Sequence, residues 1–65
     1  MTLILTDPAN GKQIAIVTSE RAARTTARKY LGCTRVSEWA EADGWSYYPT
    51  GAPEDTQSVV RVTVR

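Results

Sequence analysis

Residues Arg35–Pro49 read RVSEWAEADGWSYYP, and this stretch decides the fold. Asp43-Gly44 is the strongest hairpin signal in the chain. A type I′ turn needs positive φ at both central positions, and Asp-Gly tolerates it. Arg35–Ala42 leads into the turn as a strand, Trp45–Tyr48 returns from it, and Pro49 ends the return because it cannot donate to a ladder. A two-residue turn at 43–44 predicts Ala42 opposite Trp45, Ala40 opposite Tyr47 and Trp39 opposite Tyr48. Side chains alternate along a strand. One face therefore carries Val36, Ala40, Ala42, Trp45 and Tyr47, and the other carries Ser37, Trp39, Glu41, Ser46 and Tyr48. The first set is the core face, so Trp39 and Tyr48 are expected as a cross-strand aromatic pair on an open face.

Upstream, Thr2–Thr6 and Gln13–Val17 are β-rich and enclose Asp7-Pro8-Ala9-Asn10-Gly11-Lys12, a run of turn formers. They read as a second hairpin, with Leu3 and Leu5 on one side and Ile14 and Ile16 sharing a side. Thr18-Ser19-Glu20 is a helix start: the Ser19 hydroxyl can accept from an unpaired backbone N–H, and Glu20 sits at the positive end of the dipole. Gly32 is the stop, since glycine enters the left-handed region without penalty. At 100° per residue, Ala23, Thr26, Ala27 and Tyr30 share one face, and Arg21, Arg24 and Arg28 are placed opposite. Residues 49–57 form a loop, and Ser58–Arg65 is a last strand whose valines alternate with Arg61, Thr63 and Arg65. The predicted fold is α+β: a single domain over residues 1–65, ordered ββαβββ, with one helix packed across one face of an antiparallel sheet.

Composition narrows the chemistry. In 65 residues there is no His and one Cys. A His base, a His-containing metal site and an intrachain disulfide are excluded by counting. Cys33 cannot staple the fold, so a reducing cytoplasm is the expected location and a small apolar filler is its expected role. The apolar opening is too short for a signal peptide or a membrane span. No phosphate-cradling loop, cofactor motif or metal-ligand set is present, and a chain this small has little room for both a core and a catalytic cleft. The expectation is a protein that is not an enzyme and carries no cofactor.

Charge is the remaining signal. Eight bases and seven acids give a net charge of +1, yet they are segregated. Residues 21–35 hold Arg21, Arg24, Arg28, Lys29 and Arg35 with no acid. Residues 36–55 hold Glu38, Glu41, Asp43, Glu54 and Asp55 with no base. The helix is basic, whereas the aromatic hairpin and the loop after it are acidic.

In size, element order and the acidic hairpin Glu38-Trp39-Ala40-Glu41-Ala42-Asp43-Gly44-Trp45, the chain resembles small bacteriophage and mobile-element proteins. It is most similar in kind to the anti-CRISPR inhibitors of type I surveillance complexes. That resemblance implies a non-catalytic inhibitor that binds a host protein or nucleoprotein complex, a CRISPR effector foremost, and blocks its DNA-binding surface. The residues expected to touch the partner are Glu38, Trp39, Glu41, Asp43 and Tyr48, with Glu54 and Asp55 at the rim. Carboxylates would steer the encounter and aromatics would slow dissociation. The basic residues support an alternative, a small nucleic-acid-binding module using Arg21, Arg24, Arg28, Arg35 and Arg61. A second alternative is an oligomerising structural phage protein that pairs Thr2–Thr6 or Ser58–Arg65 with another chain, and the chain is expected to be a monomer or weak homodimer.

Overall fold

The computed structural model describes residues 1–51 and 58–65. Its elements are β1 (Leu3–Asp7), β2 (Lys12–Val17), α1 (Glu20–Leu31), β3 (Val36–Glu41), β4 (Gly44–Pro49) and β5 (Val60–Val64). They form the ββαβββ order, with one helix on a five-stranded antiparallel sheet of order β2-β1-β5-β4-β3. The last strand lies in the middle of the sheet and joins the two hairpins. Reciprocal bonds between Thr2 and Arg65, at 3.2 and 2.8 Å, extend that junction to the chain's two ends. β1 and β5 are thus paired on both sides. The edges are β2 and β3, which corrects the expectation that β1 or β5 is free to add a strand from another chain.

The helix is delimited as its sequence dictates. Ser19 caps it in an extended conformation, and its Oγ accepts from the Ala22 N–H at 3.2 Å. Gly32 closes it at φ 68°, and both the Gly32 and Cys33 N–H groups donate to the Arg28 carbonyl. Ala23 and Ala27 are fully buried. Their small side chains let α1 settle on Leu3, Leu5, Tyr47, Val60 and Val62, all fully buried, with Val36 beside them. Each large apolar side chain removed from water contributes about 1.5–3 kcal/mol before entropy is subtracted, and few are available in so short a chain. Tyr30, expected among the core-facing residues, stays 40% exposed at the helix margin and donates its O–H to Asp7 Oδ2 at 2.6 Å.

Three local expectations are corrected. The hairpin turns at Ala42-Asp43, because Glu41 faces Gly44, Ala40 faces Trp45 and Trp39 faces Ser46. None of residues 42–44 has positive φ, so the turn is not type I′. Glycine is needed at 44 for another reason: a Cβ there would overlap the Val62 carbonyl oxygen of the adjacent β5. Each β3 residue thus changes partner by two positions, one full strand period, and the faces stay as the sequence predicts. Tyr48 now faces Ser37, so Trp39 and Tyr48 are diagonal neighbours and not a direct pair.

The second correction lies in the first hairpin. Its register shifts between Leu5 and Thr6, leaving Ile14 as the extra residue of a bulge. Ile14 turns toward the core, whereas Ile16 is 56% exposed on the other side. The third concerns Arg24. It does not stand opposite the core stripe but at its flank, where its guanidinium lies 5.8 Å from the centre of the Tyr47 ring and pairs with Glu38.

Candidate functional site

The open face of the sheet is a lattice fixed by register. One row runs Ile16, Ile4, Thr63, Gly44 and Glu41 across five strands. The next runs Gln13, Thr6, Arg61, Ser46 and Trp39. Tyr48 and Ser37 form the start of a third. Trp39 is 65% exposed on an edge strand, and Tyr48 is half-buried on the same face. The aromatic end and the Ile16–Ile4 end are therefore separated by polar side chains from the central strands.

The expected partner-binding residues divide. Trp39, Glu41 and Tyr48 come together on this face. Glu38 does not, since it faces Tyr47 across the ladder and its carboxylate pairs with Arg24 on the helix side. Asp43 sits in the turn and accepts from Arg61 Nη2 at 3.1 Å, which holds its carboxyl below the usual 3.8. Glu41 Oε1 accepts from the Ser46 hydroxyl at 2.9 Å. Glu54 and Asp55 lie outside the described residues. Each hairpin carboxylate is already engaged, two of them by arginines, so the acidic character read from the sequence is largely countered locally. Exposed pairs of this kind are weak, about 0–1 kcal/mol, and readily exchanged.

Beneath the sheet, on the helix side, Trp45 and Tyr47 pack edge to face, their centroids 6.3 Å apart and their planes at 88°. Trp45 Nε1 and the Tyr47 hydroxyl are buried without a hydrogen-bond partner. Burial raises the Tyr47 phenol above its ordinary 10.0. The Trp45 N–H opposes that rise, although it falls outside good hydrogen-bond geometry. This pair belongs to the core.

The basic residues also divide. Arg61 is on the open face, tied to Asp43. Arg24, Arg28 and Arg35 converge on a cleft of about 320 Å³, lined as well by Thr34, Val36 and Thr50. Arg21 is not among its walls. Among the described residues, Arg28 and Arg35 have no carboxylate partner within salt-bridge distance. The cleft lies near the negative end of the α1 dipole, which disfavours an anion by about 0.3–1 kcal/mol. A single charge-assisted hydrogen bond contributes about 1.5–3 kcal/mol, so the arginines outweigh the dipole. Thr34 and Thr50 were not singled out from the sequence. The signal that finds them is the register: Val36 faces Pro49, and the Thr50 N–H donates to the Arg35 carbonyl at 3.2 Å.

Among the described residues no group of three or more His, Cys, Asp or Glu is placed to hold a metal ion, and no helix is long and apolar enough to cross a membrane. The chain matches no family model, no curated protein and no solved structure.

Proposed function

We propose that the chain is a non-catalytic binding module that docks the Trp39 end of its open sheet face on a host protein and acts by occupying that surface. The observation that carries this reading is the 65% exposure of Trp39 on an edge strand, beside Tyr48 and Glu41. A large aromatic side chain left in water costs solubility and adds nothing to the core. Trp and Tyr are also the residues that most often anchor interfaces. Glu41 and Asp43 supply carboxylates at the same end, and their weak internal bonds can be traded for basic groups on a partner. The inhibitor-like size and acidic hairpin make a type I CRISPR surveillance complex, with its positively charged DNA channel, the first partner to test.

The experiment is a binding and DNA-loading assay with a purified surveillance complex. The expected result is a stable complex that no longer loads target DNA. Trp39→Ala should weaken it thirtyfold or more, as a central anchor does, and charge reversal of Glu41 with Asp43 should slow association. Absence of a complex rejects the effector as partner. Full-strength binding by correctly folded Trp39→Ala rejects the face.

A further inference from the structure

We propose that the cleft between the C-terminal half of α1 and the start of β3 binds a phosphate group, held by Arg28 and Arg35 with Arg24 at the rim. The site shares no residue with the Trp39 face, and neither proposal depends on the other.

Among the described residues, three arginines and two hydroxyl-bearing threonines line this cleft, and no carboxylate does. Guanidinium does not lose its charge at any physiological pH. The arginines cannot relieve their mutual repulsion by deprotonation, so an anion between them removes a cost the free protein bears. Their planar forks match the paired oxygens of phosphate better than a point charge does. Arg24 and Arg28 are about one helical turn apart, and a turn advances 5.4 Å, so both stem from one side of α1, with the Arg24 fork turned to Glu38. Arg35 faces them from the strand side.

The walls are fixed. Arg28 is in the last turn of a helix capped at both ends. Arg35 is tied through its carbonyl to Thr50, whose Oγ1 lies 2.8 Å from Ser37 Oγ. With Ser37 donating, Thr50 keeps its own O–H for the cleft. A tetrahedral anion of up to two charges uses three cations and hydroxyl donors more fully than a carboxylate would. Glu38 acts as the competitor: it holds Arg24 from outside the cleft and must release it for the third fork to turn inward.

The test uses the full chain at low ionic strength, titrated separately with inorganic phosphate and with a ten-residue oligothymidylate, read by backbone amide NMR shifts. Perturbations centred on Arg28, Thr34, Arg35 and Thr50 are expected. Arg28→Gln and Arg35→Gln should each lower affinity about fivefold or more, and Glu38→Gln should raise it at least twofold by freeing Arg24. Saturation by inorganic phosphate alone identifies a small-ion site. Tighter binding of the oligonucleotide, falling steeply with salt, identifies a nucleic-acid backbone as the phosphate's source. Either supports the proposal. No binding of either probe overturns it, as does binding indifferent to Arg28→Gln and Arg35→Gln. A Glu38→Gln protein that binds no more tightly than the parent overturns the competitor role, and with it the place of Arg24 in the site.

Discussion

Gly44 lies so close to Val62 that no side chain fits between the strands they belong to. A Cβ on residue 44 would overlap the Val62 carbonyl oxygen, a backbone atom that cannot swing aside. Residue 44 pairs with Thr63, and the Val64 N–H donates to the Asp43 carbonyl at 2.9 Å, so the hairpin tip and the central strand are locked together here. Gly44→Ala is expected to cost about 3 kcal/mol or more, the upper end for overpacking. That is much of the stability of a 65-residue domain, at about 0.05–0.15 kcal/mol per residue. Gly11→Ala offers the contrast. Its φ is 71° but its Cβ would meet nothing, so the loss should be about 1 kcal/mol. Urea unfolding of both variants gives the comparison, and equal losses would show that close approach to β5 is not what requires glycine at 44.

Most of the architecture is legible in the sequence. Ser19 and Gly32 bracket the helix because capping is local chemistry, and Val60 and Val62 announce their buried face by alternation. What escaped was decided between elements. Asp43-Gly44 carries a hairpin signal, but the glycine serves the contact with β5, so the turn moved one residue earlier. The bulge at Ile14 has no mark in a run of β-forming residues. The charge segregation was real, yet its meaning changed once Glu38 met Arg24 and Asp43 met Arg61. The cleft needed the register of β3 on β4 to bring Thr50 beside Arg35, and sequence spacing alone does not contain that.

The buried hydroxyl of Tyr47 should be dispensable. It has no hydrogen-bond partner, and an unsatisfied buried polar group costs about 1–3 kcal/mol. Tyr47→Phe keeps the ring, its edge contact with Trp45 and the face beneath Arg24. A gain of about 1 kcal/mol in chemical unfolding is expected. The pH dependence follows from the raised phenol pKa. The unfolded chain ionises this phenol near 10.0 while the folded one resists. The contribution to stability is therefore complete below pH 10 and falls as pH rises through the folded value. The phenylalanine variant should lose part of the parent's alkaline decline. A variant less stable than the parent at neutral pH would mean that the hydroxyl is bonded.

Tyr30 and Asp7 link the helix margin to the first turn, and their bond has signatures at both ends of the pH scale. The Tyr30 O–H, followed by the Ala9 N–H, holds the Asp7 carboxyl below its ordinary 3.8. Accepting that bond, Asp7 raises the phenol above 10.0. A depressed carboxyl contributes stability above its unfolded value and loses it as pH falls through the folded one. A raised phenol contributes below its unfolded value and loses it as pH rises through the folded one. Tyr30→Phe should thus be less stable than the parent at pH 7, with the difference closing in acid below about pH 4 and in alkali above about pH 10. A difference constant across that range would place the effect in packing.

The two tryptophans should separate stability from recognition. Trp45 packs partly against the core and touches Tyr47, whereas Trp39 stands on the open face among side chains that do not cover it. Trp39→Ala is expected to change stability by no more than about 0.5 kcal/mol, the range for exposed positions. Trp45→Ala removes a packed aromatic and should cost about 3 kcal/mol or more. Fluorescence offers an independent check: Trp39→Ala should leave the blue-shifted, quencher-resistant emission of Trp45, and Trp45→Phe the red-shifted, readily quenched emission of Trp39. A large stability loss in Trp39→Ala would mean that the indole serves the fold. Its exposure would then no longer argue for a partner, and the docking face would have to be sought elsewhere on the sheet.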